Sequence, residues 1–155
     1  FLTLVHGEKE DVNVEKAAKI ALIHDIGEAE IGDIAHRAVD AEQEVSSEEK
    51  AEMEEEIVRK IASGLDGEIL ELWEEYEERE TEEARFVKDM DMIDMCLQAL
   101  KYEKEERYNP EENENFQEYD RMDEFFATTE PRLNTDTGKQ LFQEIKTRYE
   151  EVKQE

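Results

Sequence analysis

His24-Asp25-Ile26-Gly27-Glu28-Ala29-Glu30-Ile31-Gly32-Asp33 sets a histidine beside an aspartate and follows them closely with Glu28 and Asp33. Four metal-ligating side chains therefore stand where a helix would be packing its core. Lys16, Ala17, Ala18, Ile20, Ala21, Leu22 and Ile23 crowd apolar residues just ahead of His24, so the helix is expected to enter His24 already buried. Residues three or four apart share a helix face, which places Glu28 over His24 and beside Asp25. Buried charge of this density costs roughly several kcal/mol per ion unless it is paired or ligated. A divalent cation resolves it, although a His-Asp pair is also a common satisfied pair of a surface or core helix. Imidazole with carboxylates suits Mn, Fe, Co, Zn or Mg better than a thiolate-loving ion. Gly27 costs about 1 kcal/mol relative to Ala inside a helix, so it predicts close approach of another backbone or of a ligand.

The chain has 155 residues, the size of one domain with a proper core. With 42% charged residues, two prolines and almost no strand-type alternation, the expected class is all-α. The net charge of −27 argues against a nucleic-acid polymer or an anionic membrane as partner, because both demand a basic surface. A small phosphorylated substrate stays open, since it answers to the local field of a metal and a few basic groups. Runs such as Glu54-Glu55-Glu56, Glu74-Glu75 and Glu77-Glu78 read as solvated helix faces. The single cysteine, Cys96, sits in an apolar helical run and reads as core. No signal peptide and no bilayer-length apolar stretch are evident, so a cytoplasmic setting is the default expectation.

In chain order, Phe1 to Val5 resemble the last turns of an apolar helix stopped by Gly7. Asn13 is the expected N-cap of the helix that carries His24 and Asp25 and ends at Gly32. Ser46-Ser47-Glu48-Glu49 forms a capping box, opening a helix with Met53, Ile57 and Ile61 on its packing face. Ser63 to Gly67 breaks it, and Ile69, Leu70, Leu72, Trp73 and Tyr76 form the apolar side of the next helix. Thr81 caps a long helix in which Ala84, Val87 and Met95 share a stripe with Asp91. A carboxylate there must be ligated, paired or protonated. Residues 104–115 read as a loop, Phe116, Tyr119, Met122, Phe125 and Phe126 as an aromatic helix, and Thr135-Asp136-Thr137 as the start of a last helix.

The string ALIHDIGEAEIGDI, residues 21–34, resembles the signature of the HD-domain phosphohydrolases, in the branch that contains the 5'-deoxynucleotidases. A second likeness lies in EARFVKDMDMIDMCLQALKYE, which resembles the segment carrying that family's last metal-binding aspartate and places it at Asp91. Weaker similarity runs through ELWEEYEERET and EFFATTEPRLNTDTGKQLFQEI, so most of the chain is covered.

The resemblance implies a single HD domain, an all-α helical bundle built around a metal site, with His24, Asp25 and Asp91 as ligands. The family's first ligand is a histidine on an earlier helix, so this chain is expected to lack its N-terminal helix, with His6 a cap or surface residue. Asp89 and Asp94 are the runner-up ligands. Glu28 is the catalytic residue implied, for proton transfer or for orienting the nucleophile. Glu28 and Asp33 are candidates for a second cation. Asp33 is also placed against the substrate's sugar, and His36 and Arg37 cross the mouth of the site as further substrate contacts. The cofactor implied is a divalent cation, Co, Mn, Mg or Zn. The reaction implied is hydrolysis of a deoxyribonucleoside 5'-monophosphate by a homodimer, for which the aromatic helix is the local support. Two other readings stand beside it: an HD enzyme for another phosphoester, such as a cyclic nucleotide, a nucleoside triphosphate or an alarmone, and a non-catalytic helical dimer that keeps the metal site.

Overall fold

Among the described residues every regular element is helical, and three of the helices begin where a side chain satisfies a free N–H group of the first turn. The computed structural model describes residues 1–28, 47–64, 67–107, 119 and 121–154, without the side chains of 47, 48 and 50. Its α-helices are α1 (Leu2–His6), α2 (Val14–Ile23), α3 (Ser47–Ala62), α4 (Glu68–Glu78), α5 (Glu82–Lys104), α6 (Asp123–Thr129) and α7 (Asp136–Gln154). The all-α class is thus what the composition led one to expect. No described helix is long and apolar enough to cross a membrane.

Three expected caps are made. Asn13 Oδ1 accepts from Lys16 N at 3.1 Å, Thr81 Oγ1 from Ala84 N at 3.2 Å, and Thr135 Oγ1 from Gly138 N at 3.0 Å. At the other end of α4, Arg79 takes the left-handed conformation with φ 54° and closes the helix.

The described residues form two compact units, one from 1–28, 47–64 and 67–88, the other from 89–107, 119 and 121–154. In the first, α1 and α4 pack against α2, and α3 packs on α4. Its buried apolar residues include Ala17, Ile20, Val58, Trp73, Tyr76, Phe86 and Val87. Each large one contributes roughly 1.5–3 kcal/mol by leaving water. Lys16 to Glu75 and Lys19 to Glu68, both 2.7 Å, tie α2 to α4 at the rim.

In the second unit the buried side chains of α5 include Met90, Met92, Ile93, Cys96 and Ala99. Burial pushes the Cys96 thiol up to about 11. Phe126 of α6 stacks on Tyr149 of α7 with ring centroids 4.3 Å apart and tilts against Phe142 at 6.0 Å.

Three expectations are corrected. Helix α2 ends at Ile23 and not at Gly32, because His24 to Gly27 pass into turns closed by Ile26 N to Ile23 O and Glu28 N to Asp25 O, each 3.0 Å. Gly7 does close α1 as its C-cap, with φ −60°, and it is small because a Cβ would meet Val14 Cγ2 at 3.0 Å. The packing face of α3 is one residue off, with Val58 and Ala62 buried and Met53 exposed. The aromatic helix shrinks to α6: Met122 is its N-cap, and Phe116 lies outside the described residues. Met122 and Phe126 are buried in the core of their own unit.

Candidate functional site

His24 is the C-cap of α2, and its side chain is only 15% exposed. Its amide follows the last helical bond, His24 N to Ile20 O at 3.0 Å, and its ring edge packs on Tyr76 of α4 at 5.2 Å. Nδ1 lies 2.9 Å from the carbonyl of Ala21. A carbonyl only accepts, so this contact puts a proton on Nδ1, which in the neutral ring leaves a lone pair on Nε2.

That lone pair has company. Nε2 stands 3.0 Å from Asp25 Oδ1. A neutral imidazole nitrogen and a carboxylate oxygen are both acceptors, so their approach is favourable only with a proton or a cation between them. The donor pair, an imidazole nitrogen and a carboxylate oxygen, is of the kind that would hold a divalent cation. Asp25 itself is 60% exposed, so the expected burial of the whole cluster is corrected: the histidine is held by the core, and the carboxylate reaches out from the turn.

Glu28 is half-buried at the end of the same turn. Gly27, between them, is buried, and a Cβ there would lie 3.1 Å from Glu54 Cβ and 3.3 Å from Glu54 Cα. The predicted close approach is thus made by helix α3. Lys88 places its ammonium 5.5 Å from the centre of the Tyr76 ring that also supports His24. Neither Tyr76 nor Lys88 was singled out for the site from the sequence, where Tyr76 carried only the signal of a core aromatic.

Asp91 is half-buried on α5, in the second unit. Its expected stripe is only partly buried: Ala84 and Val87 are inside, whereas Met95 is half-buried like Asp91 itself. Of the runner-up ligands, Asp94 is exposed. Asp89 is wholly buried, and both its oxygens are taken by donors of Asn134 and Thr135. A carboxylate so occupied is a structural group. Asp33, His36 and Arg37 lie outside the described residues. Among the described residues no group of three or more His, Cys, Asp and Glu forms a ready metal cluster.

The family model described as HD domain matches residues 1–149, and the chain belongs to the HD-domain family. It is 41% identical over 100 residues to the 5'-deoxynucleotidase HDDC2 of Xenopus laevis, covering 64% of this chain and 49% of that protein. It is 34% identical over 140 residues to the 5'-deoxynucleotidase HDDC2 of Mus musculus, covering 88% of this chain and 63% of that protein. The 5'-deoxynucleotidase hdd1 of Schizosaccharomyces pombe is 38% identical over 110 residues, 66% of this chain and 52% of its own length. The chain thus spans about half the length of the relatives from Xenopus and Schizosaccharomyces.

Proposed function

We propose that this chain carries a metal-dependent phosphohydrolase site that removes the 5'-phosphate of deoxyribonucleoside 5'-monophosphates. The observation that carries the reading is the 3.0 Å approach of His24 Nε2 to Asp25 Oδ1. The names of the relatives supply the substrate class.

In this reading His24, Asp25 and Asp91 hold the divalent cation, Co, Mn, Mg or Zn, with Glu28 and Asp33 available to a second. When bound, such a cation activates water and neutralises charge on the phosphate. The chain's own groups do the rest. The Ala21 carbonyl and the Tyr76 ring fix the imidazole, so the ligand geometry is set before substrate arrives. Glu28 accepts a proton from the attacking water at a carboxylate oxygen. The water oxygen bonds to phosphorus, the P–O5' bond breaks, and the 5'-oxygen leaves with a proton as the nucleoside hydroxyl. Asp33, His36 and Arg37 are assigned to sugar and phosphate. The same reading takes the protein as a cytoplasmic homodimer and a single HD domain, on the strength of the family likeness.

The test is phosphate release by the natural full-length protein from matched deoxy- and ribonucleoside 5'-monophosphates, with added Co(II) or Mn(II) and with a chelator. Release confined to the deoxy series and abolished by the chelator is expected. Metal binding without release from any monophosphate would transfer the site to another phosphoester or to a structural role.

A further inference from the structure

Asp89 is fully buried two residues before Asp91, and it is the hub of a dense polar contact. Its Oδ1 accepts from Asn134 N at 3.0 Å and Asn134 Nδ2 at 3.2 Å. Its Oδ2 accepts from Asn134 N at 3.0 Å, Thr135 N at 2.7 Å and Thr135 Oγ1 at 2.8 Å. The carboxylate thus sits on the entry to α7, where free amides and the positive end of the helix dipole favour an anion. There is no slack behind it: a Cβ on Gly138 would come within 2.5 Å of Oδ2 and 2.9 Å of the Asp89 Cβ.

Adhesion alone does not call for such a group, because buried polar contacts can often be replaced by apolar ones at no loss of stability. What directed hydrogen bonds add is orientation. Successive helical residues turn by about 100° and rise by about 1.5 Å. The Asp89 clamp therefore fixes both the rotation of α5 and the height of the residue two positions on. We propose that Asp89 is a positioning residue, which sets the direction in which α5 presents the carboxylate of Asp91 as a ligand. This rests on the reading of Asp91 as a metal ligand given above.

The experiment is a double-mutant cycle on Co(II) affinity, followed through the visible absorption of the bound ion, with the melting temperature of each variant recorded beside it. Asp91→Ala is expected to weaken Co(II) binding. Asp89→Ala is expected to weaken it about 10- to 100-fold, as loss of a ligand-orienting partner does. In the Asp91→Ala background Asp89→Ala should leave Co(II) affinity unchanged while lowering the melting temperature as before. A purely structural Asp89 would weaken binding equally in both backgrounds, or in neither, and either result overturns the proposal. Asp91→Ala with wild-type affinity overturns the ligand reading itself, and is scored without touching Asp89. Should Asp89→Ala fail to fold, Asp89→Asn keeps one acceptor oxygen and is held to the same dependence on Asp91.

Discussion

His24 Nε2 and Asp25 Oδ1 approach to 3.0 Å from adjacent positions in the chain, while His24 Nδ1 is occupied by the carbonyl of Ala21. The turn that ends α2 makes this contact, because an unbroken helix would send the two neighbouring side chains about 100° apart. If a cation belongs between them, its binding should stabilise the folded chain. At a free Co(II) concentration of 100 times the dissociation constant the gain is about 2.7 kcal/mol. Urea unfolding with and without Co(II) should show a gain of that order for the wild type and little for Asp25→Asn. Equal gains in both would mean that Asp25 is not a ligand.

Glu28 offers a separation of binding from chemistry. Its carboxylate is assigned to proton transfer and not to the primary ligand set, so Glu28→Gln should bind Co(II) nearly as the wild type does. Phosphate release should fall about 10²- to 10⁴-fold, the usual worth of a positioned acid–base group. Turnover at the wild-type rate would remove Glu28 from the mechanism.

Gly138 leaves no room for a side chain against Asp89, with an added Cβ falling 2.5 Å from Oδ2. The contact is with a carboxylate held by donors from two residues, so it cannot swing aside cheaply. Gly138→Ala should destabilise the protein by about 1–3 kcal/mol, the range for overpacking a filled interior. A urea midpoint unchanged from wild type would show that the clamp yields.

The helices and their caps were legible because each is a local pattern, whereas the turn after Ile23 was expected as continuous helix. Asn13, Thr81 and Thr135 precede apolar runs and cap them as expected. Faces were less legible. Of the expected stripe, Ile57 and Ile61 are only half-buried and Met53 is exposed, because what α3 buries depends on where α4 lies, and that information is not in α3. On α5 polar and apolar residues are buried together, so charge was a poor guide to exposure: Asp89 is inside and Asp94 outside. The role of Asp89 comes from residues 45 and 46 positions away in the chain. No spacing rule joins them. The Tyr76 support of His24 was hidden for the same reason, since an aromatic on an apolar face announces burial and not its neighbour.

The second unit carries a pH limit of its own at Tyr149. Its hydroxyl donates to Asp123 Oδ1 at 2.9 Å and accepts from Met122 N at 3.0 Å. Burial first, then the hydrogen bond to and the charge of Asp123, hold its pKa far above the ordinary value of 10. The folded protein therefore keeps a proton that the unfolded chain releases near pH 10. The resulting stabilisation is fully present below about pH 10 and declines as the pH rises beyond it. Lys153 stands 2.7 Å from the same Asp123 oxygen. The phenylalanine variant keeps that lysine and so isolates the tyrosine. Urea midpoints measured from pH 8 to 11 should fall more steeply for the wild type than for Tyr149→Phe, and parallel curves would remove Tyr149 from the alkaline loss.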